Sequence, residues 1–401
     1  MSVSPAPYVP TPRTSAPAPA PGAGRRGALR HAAPALLGFL AVRILGLAVL
    51  AHWAHGKGHG LWPVLARTWD SLWYLDIAAH GYAADPSYPR NLAFFPLFPG
   101  LVRVFSTVLP GSRASVALGV AVVCSLVAAW GVFAVGDRLH GRRTGTVLAV
   151  LWAASPVAAV QWMGYTESLF TALAAWALYA VLDGRWAWAA GLAAAAGLTR
   201  PTGLAVAAAV SAAGLLAARR GAGPGEPARH EPARRATRAL VAALTAPLGW
   251  LGYVGWVALV RGRWDGYFEV QRRWGNQWDG GAVTLRELKR YLVHSQAPYL
   301  FLSVVSVVLL LSAGLYLCCL ADRQPLPLLV FTGVLLLVVL GSGGVWFPRA
   351  RFLLPGFPLL LPLAVAIARA RRHVAALVLA GAALSSAWLG GYMLLVWAGA
   401  P

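Results

Sequence analysis

Charge is scarce in this chain. Of its 401 residues only 12% are Asp, Glu, Lys or Arg, just 13 are acidic, and 58% are hydrophobic. An ordinary soluble domain carries roughly 25% charged residues to cover its surface. The shortfall excludes a water-facing globule for most of the chain and leaves lipid as the medium around it. Cysteine is almost missing: Cys124, Cys318 and Cys319 all lie inside apolar runs. They exclude a disulfide framework and any zinc-ligand spacing. Lysine falls far behind arginine, so the formal net charge of +21 is chiefly an arginine charge. Such an excess could serve nucleic acid. Here the basic residues punctuate apolar runs and build no stacking or groove-binding module, which argues against a nucleic-acid partner. Arginines flanking membrane spans near anionic lipid explain them more simply.

What is present is a series of long apolar stretches. Residues 1–32, rich in Pro, Ala and Ser, read as a disordered cytoplasmic tail. A secretory signal is the competing reading, but the first apolar run is long for a signal core and lacks a clear small-residue cleavage site. Spans of about 20 apolar residues are predicted near 33–52, 114–136, 144–162, 165–182, 186–199, 201–218, 238–260, 298–319, 325–341, 351–368 and 374–397. That makes an all-α polytopic membrane protein with about 11 transmembrane helices, a single membrane domain over 33–397. Segment 91–110 is apolar too, but its three prolines and Arg103 predict an interfacial or re-entrant piece. Short basic connectors, 137–143, the linker 219–238 and 369–373, belong on the cytoplasmic side. Two long segments, 53–113 and 261–297, and short turns near 163–167, 199–203 and 342–350 then face outward. Sugar nucleotides and ATP are cytoplasmic, so chemistry on the outer face needs a donor already in the membrane.

The first outer segment predicts a short helix capped by Thr68 and ended by Gly81. Trp69, Trp73 and Ile77 share one face of it, suited to the bilayer interface. Asp70 falls in the first turn, where the helix end favours an ionised carboxylate. Asp76, six residues on, is about 240° around the wheel, so the two acids are not a same-face pair. A carboxylate here could take the proton of an acceptor hydroxyl as it attacks a sugar carbon. Equally, Asp70 could be no more than a helix cap.

The runs Trp69-Asp70-Ser71-Leu72-Trp73-Tyr74-Leu75, Ile77-Ala78, Gly81-Tyr82 and Phe94-Phe95-Pro96-Leu97-Phe98-Pro99 resemble the PIG-V-type mannosyltransferases. Further matches follow in order: Ser155-Pro156, Tyr165-Thr166-Glu167-Ser168-Leu169-Phe170, Gly197-Leu198-Thr199-Arg200-Pro201-Thr202-Gly203, and Arg351-Phe352-Leu353-Leu354-Pro355 with Phe357-Pro358. The resemblance runs from about residue 35 to 370 and includes bacterial relatives of varied acceptor. It implies a GT-C architecture, a polyprenyl- or dolichyl-phosphate mannose donor, inversion at the sugar carbon, and a catalytic acid in the first outer loop, which maps onto Asp70. Tyr82 and Tyr165 within the matched runs, and Asp76 between two of them, are expected to contact substrate. The acceptor it leaves open: a glycolipid, a lipoglycan or a protein.

Other residues carry paired readings. Glu167, an acid at a span end, could hold an acceptor hydroxyl or merely suit a helix N-terminus. Arg200, before Pro201, points from a turn and could grip a phosphate or snorkel to the interface. Arg349 and Arg351, after a glycine-rich turn, pose the same choice. The charges of 261–297 (Asp265, Glu269 and Asp279 among several arginines) are either solvated or part of an acceptor groove. His52, His55 and His59 have helical spacing, but glycines at 56, 58 and 60 interrupt it, and no metal or other cofactor is expected. A flippase or transporter of a lipid-linked sugar is the main rival to a transferase; it would show inverted repeats and mid-membrane charges. A non-catalytic scaffold is the third.

Overall fold

The computed structural model describes residues 25–82, 89–221, 230–296 and 299–400. Most of the expected N-terminal tail and the middle of the 219–238 linker lie outside the described residues. The described chain is almost wholly helical. In hydrocarbon every backbone N–H and C=O must be satisfied within the segment, and an apolar run does this by coiling.

The helices in order are α1 Arg25–Gly56, α2 Leu61–Ala66, α3 Asp70–His80, α4 Leu97–Phe105, α5 Arg113–His140, α6 Arg142–Ala153, α7 Glu167–Leu182, α8 Trp186–Gly197 and α9 Gly203–Gly221. They continue as α10 His230–Thr245, α11 Leu248–Arg261, α12 Gly266–Arg273, α13 Ala282–Lys289, α14 Leu300–Ala321, α15 Leu326–Gly341, α16 Arg349–Phe352, α17 Leu361–Arg369 and α18 Arg372–Leu395. Two dipeptide strands, β1 (Gln277–Trp278) and β2 (Ser342–Gly343), pair antiparallel, with Gln277 opposite Gly343 and Trp278 opposite Ser342.

Each apolar run expected to span is helical, yet the count of eleven is not reached by length and composition. Among the described residues six helical stretches are long and apolar enough to cross a membrane: Gly27–Gly56, Arg113–His140, Gly203–Arg220, Arg234–Arg261, Leu300–Ala321 and Arg372–Leu395. Glu167–Leu182, Leu326–Gly341 and Phe357–Arg369 are shorter apolar helices. Proline accounts for part of the difference, because it lacks the N–H that would continue the ladder. The run 144–162 stops at Ala153, just before Pro156, and resumes only as a tight turn over Ala158–Trp162. The run 351–368, with Pro355, Pro358 and Pro362, is divided into α16, a turn over Phe357–Leu360 and α17. Segment 91–110, expected to lie at the interface, holds the short α4.

The connectors sort to two ends. At one, His31 Nε2 is 2.9 Å from Asp137 Oδ2, Arg142 Nε donates to the His31 carbonyl (3.0 Å), and Arg143 donates to the Ala370 carbonyl (2.8 Å). The start of α1 therefore meets the α5–α6 and α17–α18 corners. At the other ends of these helices the long segments assemble. Trp73 stacks on Phe94 at 5.6 Å and meets the edge of Trp274 at 5.4 Å, the Trp274 indole N–H donates to the Arg90 carbonyl (3.0 Å), and β1 pairs with β2. The aromatic face of α3 is thus turned into protein. Its exposed face carries Leu72, Asp76 and His80 instead.

Small residues let the helices approach closely, as is usual between membrane helices. The sharpest case is α8 against α11: a methyl at Gly249 would collide with the Ala194 carbonyl, and one at Gly197 would lie 2.6 Å from the Trp250 nitrogen. Gly249→Ala should lower the melting temperature of the purified protein, by about 1–3 kcal/mol of overpacking. Gly252→Ala, on the same helix with nothing within 4 Å of the added methyl, should leave it unchanged or raise it. Equal behaviour of the two variants would refute the close approach.

Candidate active site

The site begins with a bend. The Thr68 hydroxyl donates to the Val64 carbonyl (2.8 Å), so it does not cap α3 as expected; Trp69 occupies the cap position instead, with φ of +46°. That is a costly conformation for a bulky residue, held here by its ring packing against the main core. The turn makes Asp70 the first residue of α3. Close by, the Gly164 amide donates to the Leu65 carbonyl (3.0 Å), tying the segment before α7 to the end of α2. That tie delivers Tyr165, Thr166 and Glu167 beside Asp70.

Four charged side chains then form a chain of alternating sign. Arg351 Nη2 donates to Asp70 Oδ2 at 2.5 Å, Arg351 Nε lies 3.1 Å from Glu167 Oε1, and Arg200 Nη1 lies 2.5 Å from that same oxygen. Arg200 also donates to the Thr166 hydroxyl (3.3 Å), which the Tyr74 hydroxyl meets at 3.2 Å. The Phe352 ring sits between the two guanidiniums, 5.4 Å from Arg200 and 5.3 Å from Arg351, and the Tyr165 ring lies 5.0 Å from Arg351. Two carboxylates and two guanidiniums leave the cluster neutral, which makes its burial tolerable. The Glu167 side chain is 2% exposed and that of Arg351 5%, whereas Asp70 keeps 25%. Asp70 is therefore the carboxylate of the four that meets the outside. Among the described residues, two buried groups beside it, Arg351 Nη1 and the Tyr165 hydroxyl, have no hydrogen-bond partner.

The arrangement offers an accessible carboxylate next to spare cationic and hydroxyl donors. Residues 58–218 match the family model described as mannosyltransferase (PIG-V). Over these residues the chain is PIG-V-like. It is 36% identical over 135 residues to GPI alpha-1,6-mannosyltransferase 2 of Rattus norvegicus, covering 31% of this chain and 26% of that protein. The protein of the same name from Mus musculus is 35% identical over 144 residues, covering 33% and 28%. The matched stretch thus spans about a quarter of the curated relatives' length. Two solved structures share the architecture at 15% identity. ArnT from Cupriavidus metallidurans, bound to undecaprenyl phosphate, superposes with a TM-score of 0.51 over 83% of this chain and 60% of its own. The archaeal oligosaccharyltransferase AglB from Archaeoglobus fulgidus, in complex with an inhibitory peptide and a dolichol-phosphate, scores 0.50 over 90% and 56%. The fold shared with these two structures is an all-helical multi-pass membrane architecture.

Of the residues singled out in the sequence, Asp70, Tyr165, Glu167, Arg200 and Arg351 are brought together. Asp76, Tyr82 and Arg349 are engaged elsewhere. Asp76 is exposed and pairs with His80 at 2.9 Å. The Tyr82 hydroxyl donates to the Phe94 carbonyl (2.8 Å), and its ring packs on Tyr253 and Trp256. Arg349 donates to the Thr284 hydroxyl and the Ser342 carbonyl, both at 2.5 Å, with its guanidinium 4.8 Å from the Trp346 ring. It clamps α13 to the β2 strand. Thr166, Tyr74 and Phe352 complete the cluster although each lay unremarked inside a matched run.

Arg43 also went unremarked, although a charge in mid-span was a legible signal. It is buried, and its two terminal nitrogens donate to the Ala158 carbonyl (2.5 Å) and the Ala153 carbonyl. It thereby satisfies the end of α6 and the turn that follows, where proline has removed the helical partners. The segment 261–297, beyond the matched residues, has its own charge logic. Asp265 accepts from Arg263 (2.7 Å) and Arg272 (2.8 Å), and these bonds hold its carboxyl down at about 2. Asp279 accepts from the amides of Val283 (2.8 Å) and Gly281 (2.9 Å), which lowers its carboxyl and starts α13.

Two outcomes follow. Glu167→Gln leaves the buried Arg200 guanidinium without its counter-ion and should cost about 3–5 kcal/mol of stability. Asp70→Asn, at the exposed end, should cost clearly less by thermal unfolding in detergent; equal losses would contradict the burial difference. A depressed carboxyl stabilises above its unfolded range near about pH 4, and the contribution disappears as pH falls through the folded value of about 2. Amide-exchange protection of α12 should therefore decline across that window in the wild type, and Asp265→Asn should abolish the decline.

Proposed function

We propose that the chain is a glycosyltransferase moving mannose from a polyprenyl-phosphate donor to a hydroxyl of an extracytoplasmic acceptor, with inversion and with Asp70 as general base. The observation that carries this reading is the unequal exposure of the two carboxylates. Glu167 is enclosed between Arg200 and Arg351 and acts as their counter-ion. Asp70 is held at the open end of the same chain, where an acceptor hydroxyl can reach it. The acceptor oxygen attacks the anomeric carbon from the face opposite the phosphate and forms the new C–O bond. Its proton passes to the Asp70 carboxylate. The bond from the anomeric carbon to the phosphate oxygen breaks, and the polyprenyl phosphate leaves with the electron pair.

One oxygen of the Asp70 carboxylate is occupied by the bond it accepts from Arg351 Nη2. A donor phosphate arriving at Arg351 Nη1 and the Tyr165 hydroxyl shares that cation and frees the Asp70 oxygen to accept the hydrogen bond of the acceptor hydroxyl. Lipid phosphates bound in the two structural neighbours support a membrane-borne donor, and the matched mannosyltransferases support the sugar. The acceptor is a glycolipid, lipoglycan or protein hydroxyl on the side opposite the basic connectors. With the N-terminus cytoplasmic, that side is extracytoplasmic.

Purified protein supplied with labelled polyprenyl-phosphate mannose and a membrane extract as acceptor should transfer label. Asp70→Asn should reduce the rate by about 10²–10⁴-fold, the usual contribution of a general base, without loss of folding. Full activity in that variant removes Asp70 from the chemistry. Movement of label across liposomes without transfer would replace the enzyme by a flippase.

A further inference from the structure

A second cationic place lies beside α3, distinct from the charge cluster. A cavity of about 510 Å³ is walled by Arg67 just before α3, Leu75 and Ala79 on α3, Ser106 after α4, and Ser112 and Arg113 at the start of α5. None of Asp70, Glu167, Arg200 or Arg351 lines it, and neither does any other acid. Among the described residues neither Arg67 nor Arg113 has a carboxylate partner, although both are exposed. The serines are already engaged: Ser106 donates to the Val102 carbonyl (2.7 Å), and Ser112 accepts from the Ser115 amide (3.2 Å). The two guanidiniums are what the cavity has to offer a ligand.

Their placement is electrostatically unfavourable without one. Arg113 is the first residue of a 28-residue helix, where the peptide dipoles already present positive charge and a cation is misplaced. Arg67 faces the same space. An anion there would relieve all of this at once, and guanidinium pairs with phosphate by two parallel hydrogen bonds. The rim adds a second chemical character. Val104 and Phe105, the last residues of α4, and Val108 and Leu109, in the turn between Ser106 and Ser112, neighbour the lining residues in sequence and are exposed at 62%, 39%, 74% and 50%. A ligand meeting both features has an anionic head and an apolar tail.

We propose that this cavity binds a phosphate carried on a lipid, at a site separate from the Asp70–Arg351 pair. The volume suits a headgroup rather than a single ion. Two lipids bring this chemistry: a polyprenyl phosphate and a membrane glycerophospholipid. Binding here stands on the cavity alone and does not require that sugar be transferred.

The test uses the full chain in detergent with three probes: a short-chain polyprenyl phosphate, phosphatidylglycerol and inorganic phosphate. Retention is read by native mass spectrometry. The double variant Arg67→Gln/Arg113→Gln should weaken retention of at least one lipid phosphate about tenfold or more, the loss expected for charge-assisted bonds. Arg67→Lys/Arg113→Lys should recover most of it, which separates lost charge from misfolding. Arg103→Gln, an exposed cation on α4 outside the cavity, should change nothing. A loss confined to polyprenyl phosphate identifies the carrier lipid as occupant, and a loss confined to phosphatidylglycerol identifies a resident phospholipid. Unchanged retention of both lipids in the Gln variant overturns the site. Inorganic phosphate retained as well as either lipid, with the same arginine dependence, overturns the lipid part. Retention with no transfer in the wild type would sink the transferase reading alone.

Discussion

A charge taken out of water in a lipid-immersed protein must find an opposite charge or a set of hydrogen-bond acceptors, and this constraint organises the molecule. Asp70, Arg351, Glu167 and Arg200 come from four segments, the outermost pair 281 residues apart in sequence. Each is carried by a short or interrupted element: the first turn of α3, a four-residue helix, the first turn of α7, and a turn before α9. Helix breaks are costly in hydrocarbon because they free backbone groups. Here they coincide with the charged residues, so the same interruptions that weaken the ladder place the side chains that knit it together. Arg43 plays the matching role one level down, closing the carbonyls left open after α6.

Much of this was legible from the sequence, and the limits have physical causes. Hydropathy located the helical runs because lipid imposes a simple rule on composition. It does not tell a continuous helix from a run that proline divides, as at Pro156 and Pro355, since composition records apolarity and not continuity. The ordered motifs pointed to Asp70, Tyr165, Glu167, Arg200 and Arg351, which do meet. Spacing on one helix separated Asp76 from Asp70 correctly, and the structure gives Asp76 to His80. What spacing lacked was partnership: nothing local to Arg349 distinguishes it from Arg351, yet one clamps α13 while the other reaches across the bundle to Asp70. Thr68 was a plausible cap until the backbone of Trp69 turned the other way.

The two long segments, 53–113 and 261–297, also differ in how they use charge. In the first, a carboxylate faces a buried guanidinium and spare donors. In the second, Asp265 and Asp279 are spent locally, on neighbouring arginines and on starting a helix. Asp265 and Asp279 each follow a tryptophan, as Asp70 does, but they share neither its surroundings nor its long-range partner. The echo of Trp-Asp in the sequence is therefore one of composition rather than of role.

The two-residue ribbon between Gln277–Trp278 and Ser342–Gly343 has a mechanical meaning. Arg349 bolts α13 to the same strand, and Arg351 follows two positions later on a helix too short to absorb strain. The ribbon and the clamped Arg349 guanidinium thus anchor the turn that carries Arg351 to α13 from two sides.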